Sequence, residues 1–143
     1  MLFETLKQAQ TVLARNWRWP HFSAGELACR CRGRFCRGAY WHDEGFLDAL
    51  EWMRADVSAP VIITSGHRCA QWNAVVGGAP RSQHKTVAAD IRLVGHDRQK
   101  LKTAAERAGF SGLGLARTFL HVDRRARPAQ WFYKGSEALW MRS

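Results

Sequence analysis

Residues 82–90 read Ser82-Gln83-His84-Lys85-Thr86-Val87-Ala88-Ala89-Asp90, and residues 119–124 read Phe119-Leu120-His121-Val122-Asp123-Arg124. The first stretch leads into an alternating run over 88–93, in which Ala89, Ile91 and Leu93 share one face of an extended chain and Ala88, Asp90 and Arg92 the other. In the second, Leu120 and Val122 share a face and leave His121 and Asp123 together on the opposite one. A period of two with an apolar face predicts two strands laid against a core. As neighbours, these strands would bring a carboxylate and an imidazole to one point, and His84 would join them from the loop before the first strand.

The rest of the chain supplies a frame for that pair. Pro60 opens Val61-Ile62-Ile63-Thr64, a β-branched run that predicts a buried strand. Helical periods run over 2–15, 44–56 and 97–108, the last ended by Gly109; a shorter one over 70–76 is stopped by Gly77-Gly78. Ser23 followed by Glu26 is a capping-box signature for a short helical turn. Trp17–Phe22, broken by Pro20, reads as a loop, and Cys29–Gly38 reads as irregular. The glycine-rich run Gly109-Phe110-Ser111-Gly112-Leu113-Gly114-Leu115 lacks the lysine and serine of a phosphate loop and predicts a tight turn beside the histidine strand. The C-terminal WFYKGSEALWMRS is expected to pack on the core. Helices first and short strands later predict an α+β fold, with a small, mostly antiparallel sheet and flanking helices, in a single domain spanning 1–143.

The 143 residues suffice to bury a core without obligatory cross-links, since a chain of this length buries about 68–70% of its unfolded surface. No apolar run approaches the ~20 residues of a membrane span. The N-terminal MLFETLKQAQTVLARNW carries Glu4 early and lacks an apolar stretch with a small-residue cleavage site, so it does not read as a secretory signal. A net charge of +10 gathers at Arg30, Arg32, Arg34 and Arg37 and again at Arg124, Arg125 and Arg127. Such a field attracts polyanions, either nucleic acid or anionic cell-envelope polymers. No base-reading motif is present, so specific nucleic-acid binding is not expected. Cys29, Cys31, Cys36 and Cys69 allow three disulfide pairings, free thiols, or a structural zinc whose C-x-C-x4-C spacing is not a standard knuckle; the sequence leaves these open. Two histidines and a carboxylate form a common catalytic zinc set with one position left for water.

SQHKTVAAD resembles the S-x-H-x-x-G-x-A-x-D signature of the zinc D-Ala-D-Ala carboxypeptidase and murein endopeptidase family, peptidase M15, which includes phage endolysins and shares the hedgehog-type zinc fold. Upstream, ITSGHRCAQWNAVVGGAPRSQH is similar to the family's SGYR…N…VGG…SQH run. Downstream, GFSGLGLARTFLHVDRR is similar to its glycine-rich stretch before HVD, and HFSAGELACRC to the FS-x-x-E-x-x-C opening of one branch. The resemblance covers roughly residues 21–125 with the motifs in order.

It implies zinc (Zn2+) held by His84, Asp90 and His121, and hydrolysis of amide bonds next to D-amino acids in peptidoglycan. It implies that Arg68 grips a substrate carboxylate or carbonyl through paired hydrogen bonds, and that Ser82 and Gln83 lie along the substrate. Three departures bear on mechanism. Val87 replaces the usual glycine and His67 the usual tyrosine, which makes His67 a candidate for stabilising the oxyanion. Thr118 occupies the position of an acidic general base, leaving Asp123 as its nearest replacement or as a residue that only orients a ligand. Trp41, Trp72 and Trp131 are candidates to line a groove. The expected partners are peptidoglycan peptides, anionic envelope polymers and, for a virion-associated protein, phage tail proteins. The protein is expected to be made in the cytoplasm and to reach the wall after holin-type release or within a virion. The alternative is a non-catalytic zinc-containing module for wall binding or tail structure.

Overall fold

The computed structural model describes residues 1–141. Strand β1 (Leu2–Phe3) pairs antiparallel with β2 (Tyr40–Trp41), and helices α1 (Leu6–Leu13), α2 (Ala24–Leu27) and α3 (Glu44–Val57) complete the N-terminal part. Then follow β3 (Ile63–Ser65), α4 (Ala70–Val75), β4 (Ala89–Arg92), α5 (Arg98–Arg107), β5 (Gly112–Leu115), β6 (Phe119–Asp123), β7 (Ala129–Phe132) and α6 (Glu137–Trp140). The main sheet has the order β3-β4-β6-β5-β7. It is antiparallel except for β5 and β7, which run parallel. The α+β architecture is therefore as predicted.

Local chemistry accounts for the element boundaries. The first helix starts at Leu6 and not at Leu2, because Thr5 is extended and caps it by accepting the Gln8 N–H. The residues before the cap join β2, where Phe3 is buried and stacks on Tyr40 with ring centroids 6.5 Å apart. Ser23 and Glu26 close the predicted capping box reciprocally. Helix α3 is capped by Asp43 and ends at Ser58, which adopts the left-handed conformation (φ 49°). Helix α5 is capped by Asp97.

The glycine-rich run is a strand, β5, and not a tight turn. Each of its two glycines faces something that leaves no space for a Cβ. At Gly112 a Cβ would overlap the Asp123 carboxylate, and at Gly114 it would lie 2.8 Å from Tyr133 and 2.9 Å from Trp131 ring atoms. Absent side chains thus let a strand pass beneath groups of the polar face.

Register assigns the two faces of the sheet. Ile91 pairs with Leu120 and Leu120 with Leu115, and these side chains bury in one core with Phe46, Leu50 and Met53 of α3 and Leu101 and Ala105 of α5. Set one residue out of phase, the other face carries a row across all five strands: Ser65, Asp90, His121, Gly114 and Trp131, each paired with the next. A bulge in β3 between Ile63 and Ser65 brings Ser65 opposite Asp90. The C-terminal segment packs as predicted, with Trp140 buried and its indole N–H donating to the Ala116 carbonyl at 2.7 Å; Arg142 and Ser143, at the end of that segment, lie outside the described residues. Among the described residues no helix is long and apolar enough to cross a membrane.

Candidate metal centre

Asp90 and His121 are opposite one another on β4 and β6. His84 arrives on a 3-10 turn, Gln83–Lys85, whose start is capped by Ser82 Oγ accepting the His84 N–H at 3.1 Å. The Arg68 N–H donates to the His84 carbonyl at 2.6 Å and docks that turn onto the segment after β3. All three side chains are buried. Their nearest atoms form a nearly equilateral triangle: His84 Nε2 to Asp90 Oδ1 is 3.0 Å, His121 Nδ1 to His84 Nε2 is 3.1 Å, and His121 Nδ1 to Asp90 Oδ1 is 3.2 Å.

The remaining nitrogen of each ring identifies its tautomer. His84 Nδ1 lies 2.7 Å from the Gly66 carbonyl, which only accepts, so Nδ1 carries the proton. His121 Nε2 lies 2.6 Å from Asp123 Oδ2 and likewise donates. The nitrogens that face each other across 3.1 Å are then both lone pairs, beside a carboxylate oxygen. Three acceptors converging in a buried spot call for a cation or a proton among them. The edges fit a metal: four ligands at about 2.0 Å around a tetrahedral zinc are separated by about 3.3 Å. The donor set, two imidazole nitrogens and one carboxylate, is a zinc set, and each histidine is oriented by the carbonyl or carboxylate behind it. His84, Asp90 and His121 are thus a group suited to hold a metal ion.

Burial pushes the Asp90 carboxyl up, but when a proton occupies the facing nitrogens of His121 and His84, hydrogen bonds from those cationic rings outweigh burial and hold the group at about 2. His121 shows the reverse balance: burial lowers its pKa, while Asp123 and Asp90 raise it further, above the usual imidazole value. Asp123 is fully buried and saturated. Besides His121, it accepts the Arg125 N–H at 3.1 Å, Nε at 2.8 Å and Nη2 at 2.6 Å. Burial alone would raise its pKa; Arg125 and His121 hold it well below the usual carboxylate range.

A cleft of about 560 Å³ opens onto this triangle. Arg68, Arg81, Ser82, Gln83, Arg125 and Trp131 are among its walls. Arg68 is braced: Nε donates to Ser65 Oγ at 3.3 Å, Nη1 to Asn73 Oδ1 at 3.2 Å, and Nη2 lies 3.6 Å from Asp90 Oδ2. A Cβ at Gly78 would overlap Asn73 Oδ1, so the Gly77-Gly78 turn leaves space for that brace. A larger cleft of about 660 Å³, lined by Asp56, His96 and Lys100 among others, has no comparable ligand group.

The expected site residues separate in space. His84, Asp90, His121, Arg68, Ser82 and Gln83 meet at the cleft. His67 does not line it; its Nδ1 donates to the Thr86 carbonyl at 2.8 Å, and it shares a small apolar pocket with Trp41 and Val87. Burial lowers its pKa. Val87, where the family pattern has glycine, is half-buried, lines that pocket and packs against the main core. Thr118 is exposed on the turn before β6. Of the three tryptophans, Trp131 lines the cleft, with its ring 5.3 Å from His121 and the Arg125 guanidinium 4.6 Å above it. Trp72 packs on the cysteines. Tyr133 and Arg125 also line the cleft and were not singled out from the sequence as site residues. The signal for Tyr133 was its two-residue spacing from Trp131, which puts both rings on one side of an extended chain.

No curated protein matches the chain. A family model described as Peptidase M15 matches residues 20–123. That family is one of zinc-dependent metallopeptidases, and the matched stretch contains Arg68, Ser82 and all three members of the triangle; the chain belongs to the peptidase M15 family.

Proposed function

We propose that the protein hydrolyses amide bonds next to D-amino acids in bacterial peptidoglycan, with zinc held by His84, Asp90 and His121. The observation that carries this reading is the triangle of three converging acceptors at the base of an arginine-walled cleft. Zinc in such a set supplies Lewis acidity, polarising a carbonyl and acidifying water. The chain's own residues do the rest. Arg68, held in one orientation by Ser65 and Asn73, presents its outer N–H groups to a substrate carboxylate or carbonyl. Ser82 and Gln83 flank the substrate. Asp123 has its acceptor positions filled by His121 and Arg125, so it orients His121 and does not take a proton from the substrate side. Tyr133, whose pKa is raised by burial, stays protonated and offers an O–H from the cleft wall to a developing oxyanion, the role for which His67 is too far inside the fold. The surplus of arginine retains the enzyme on anionic wall polymers. The similarity of its motifs to phage endolysins supports a place in phage-type lysis or in a virion.

One observation favours a second reading, a non-catalytic wall-binding or tail module. Among the described residues Asp90 is the sole carboxylate lining the cleft, and it belongs to the triangle. Mass spectrometry of fragments released from purified peptidoglycan separates the two. The expected result is new peptide termini with zinc-loaded protein, abolished by chelator and by His84→Ala. Retention on the wall without any release, across several cross-link chemistries, establishes the binding module instead.

A further inference from the structure

The four cysteines lie outside the cleft and are spread over 41 positions, yet their sulfurs converge. All four Sγ atoms lie within 4.8 Å of one another. Cys29 and Cys31 are buried, Cys36 and Cys69 half-buried, and around them stand Ala39 and Trp72. That satellite core is small for a loop that contains two consecutive left-handed residues, Arg32 (φ 57°) and Gly33 (φ 80°). Something besides apolar burial is required to hold the segment between α2 and β2 in place.

We propose that Cys29, Cys31, Cys36 and Cys69 form a second, structural zinc site, a closed tetrathiolate that fastens the arginine-rich loop to the segment carrying Arg68. The inference is independent of the reading of the histidine triangle and rests on three observations. First, each sulfur lies within 4.8 Å of all three others, a spacing that the corners of a tetrahedron satisfy. Zinc–sulfur bonds of about 2.3 Å give edges of about 3.8 Å, and Cys31 Sγ to Cys36 Sγ is 3.5 Å. Two disulfides would instead give each sulfur one partner at about 2.05 Å.

Second, backbone N–H groups are aimed at the sulfurs. Cys36 N–H donates to Cys31 Sγ at 3.4 Å, Cys69 N–H to Cys29 Sγ at 3.4 Å, and Ala39 N–H to Cys36 Sγ at 3.5 Å. Such donors spread the negative charge of thiolate ligands. Third, the charges are of opposite sign. A divalent ion with four thiolates carries two net negative charges, and the loop that surrounds this cluster holds Arg30, Arg32, Arg34 and Arg37. The Arg34 guanidinium lies 5.7 Å from the Trp72 ring centroid, over the side chain that packs on the cysteines.

Four protein ligands leave no position open, so the site is structural. Binding releases one proton from each thiol to solvent. Cys69 follows Arg68 directly and precedes α4, so the cluster ties the loop after α2 to the base of the cleft wall.

The test is metal content, measured by elemental mass spectrometry on protein purified under reducing conditions. Wild type, His84→Ala/His121→Ala and Cys31→Ser/Cys36→Ser are compared, with cobalt exchanged into wild type for spectroscopy. The expected result is one zinc retained by the histidine variant and lost in the cysteine variant, with thiolate-to-cobalt charge-transfer absorption in wild type. The cobalt spectrum decides the matter even if the cysteine variant fails to fold. A histidine variant without zinc, wild-type cobalt protein without that absorption, or an unreduced wild-type mass lower by the hydrogens of one or two disulfides would each overturn the proposal. Loss of the histidine site alone would leave the cysteine zinc in place, so failure of the proposed function and failure of this site are distinguishable.

Discussion

At the scale of single residues, Asp123 and Arg68 carry the sharpest expectations. Asp123 meets His121 on one oxygen and Arg125 on both. Substituting Asp123→Asn keeps the shape and removes the charge that holds His121 in one tautomer. Zinc affinity in a chelator competition titration is expected to fall about 10–100-fold, the usual cost of losing a partner behind a metal ligand. An unchanged affinity would mean that His121 needs no such orientation. Arg68 makes a different prediction because it touches Asp90 only at 3.6 Å. Arg68→Lys retains the charge and loses the fork, worth about 1.5–3 kcal/mol for a hydrogen bond to a charged group. The expected outcome is a loss of about 10- to 100-fold in kcat/KM on wall peptides, with zinc content preserved. A variant that loses zinc along with activity would instead make Arg68 a brace for Asp90.

At the scale of elements, strand β5 shows how backbone can be selected for what it lacks. Gly112 sits opposite Asp123 in the register, and a Cβ there would also lie 2.5 Å from Arg125 Nε. Both groups are fixed by the interactions just described, so neither yields cheaply. Gly112→Ala is expected to destabilise the protein by about 1–3 kcal/mol, the range for overpacking a tight site, read as a lower urea midpoint. It should also weaken zinc binding, because the displaced carboxylate is the one that orients His121. Gly25, in α2, is the control: an added Cβ meets only Leu6 and Ser23 atoms at 3.8 Å. Gly25→Ala should leave both measurements within error of wild type or raise the midpoint slightly.

At the scale of the whole molecule, protons and metal compete for the same buried site. His121 has a folded pKa raised above the ordinary value of about 6.5 by Asp123 and Asp90, despite burial. Its protonated form cannot ligate, so zinc affinity is lost as pH falls, and the loss starts at a higher pH than for an unperturbed histidine. Below that pKa the apparent affinity should drop about tenfold per pH unit for each proton displaced. Asp123 acts in the same direction at lower pH. Its depressed pKa contributes stability that is present above the unfolded value of about 3.9 and is lost as pH falls through the folded one. Zinc titrations from pH 8 to 5 check the first statement, and a pH-independent affinity would refute it.

The triangle itself was legible in the sequence. Alternation over 88–93 and 119–124 assigns Asp90 and His121 to the face opposite Ile91, Leu120 and Val122, and a one-residue slip would drive those apolar groups into water. Capping chemistry likewise marked the start of α2 at Ser23, because a cap is a contact across three residues. The remaining features depend on partners distant in the chain. Gly112 and Gly114 look like turn glycines until β5 is seen to lie between β6 and β7, under Asp123 and Trp131. The same β5–β7 pairing brings Trp131 and Tyr133 to the cleft. His67 adjoins Arg68 in sequence, yet packing turns it toward Trp41 and away from the cleft. Cys69 joins three cysteines about forty residues earlier only because the Gly66 backbone lies against Leu27, where the His67 N–H donates to the Leu27 carbonyl at 2.8 Å. Periodicity and capping are local, so the sequence by itself determined which face each side chain of β4 and β6 takes and where the short helix after Ser23 begins. Which strands become neighbours, and which side chains meet at the cleft, are set by burial of surface between distant segments, and only the tertiary structure decided them.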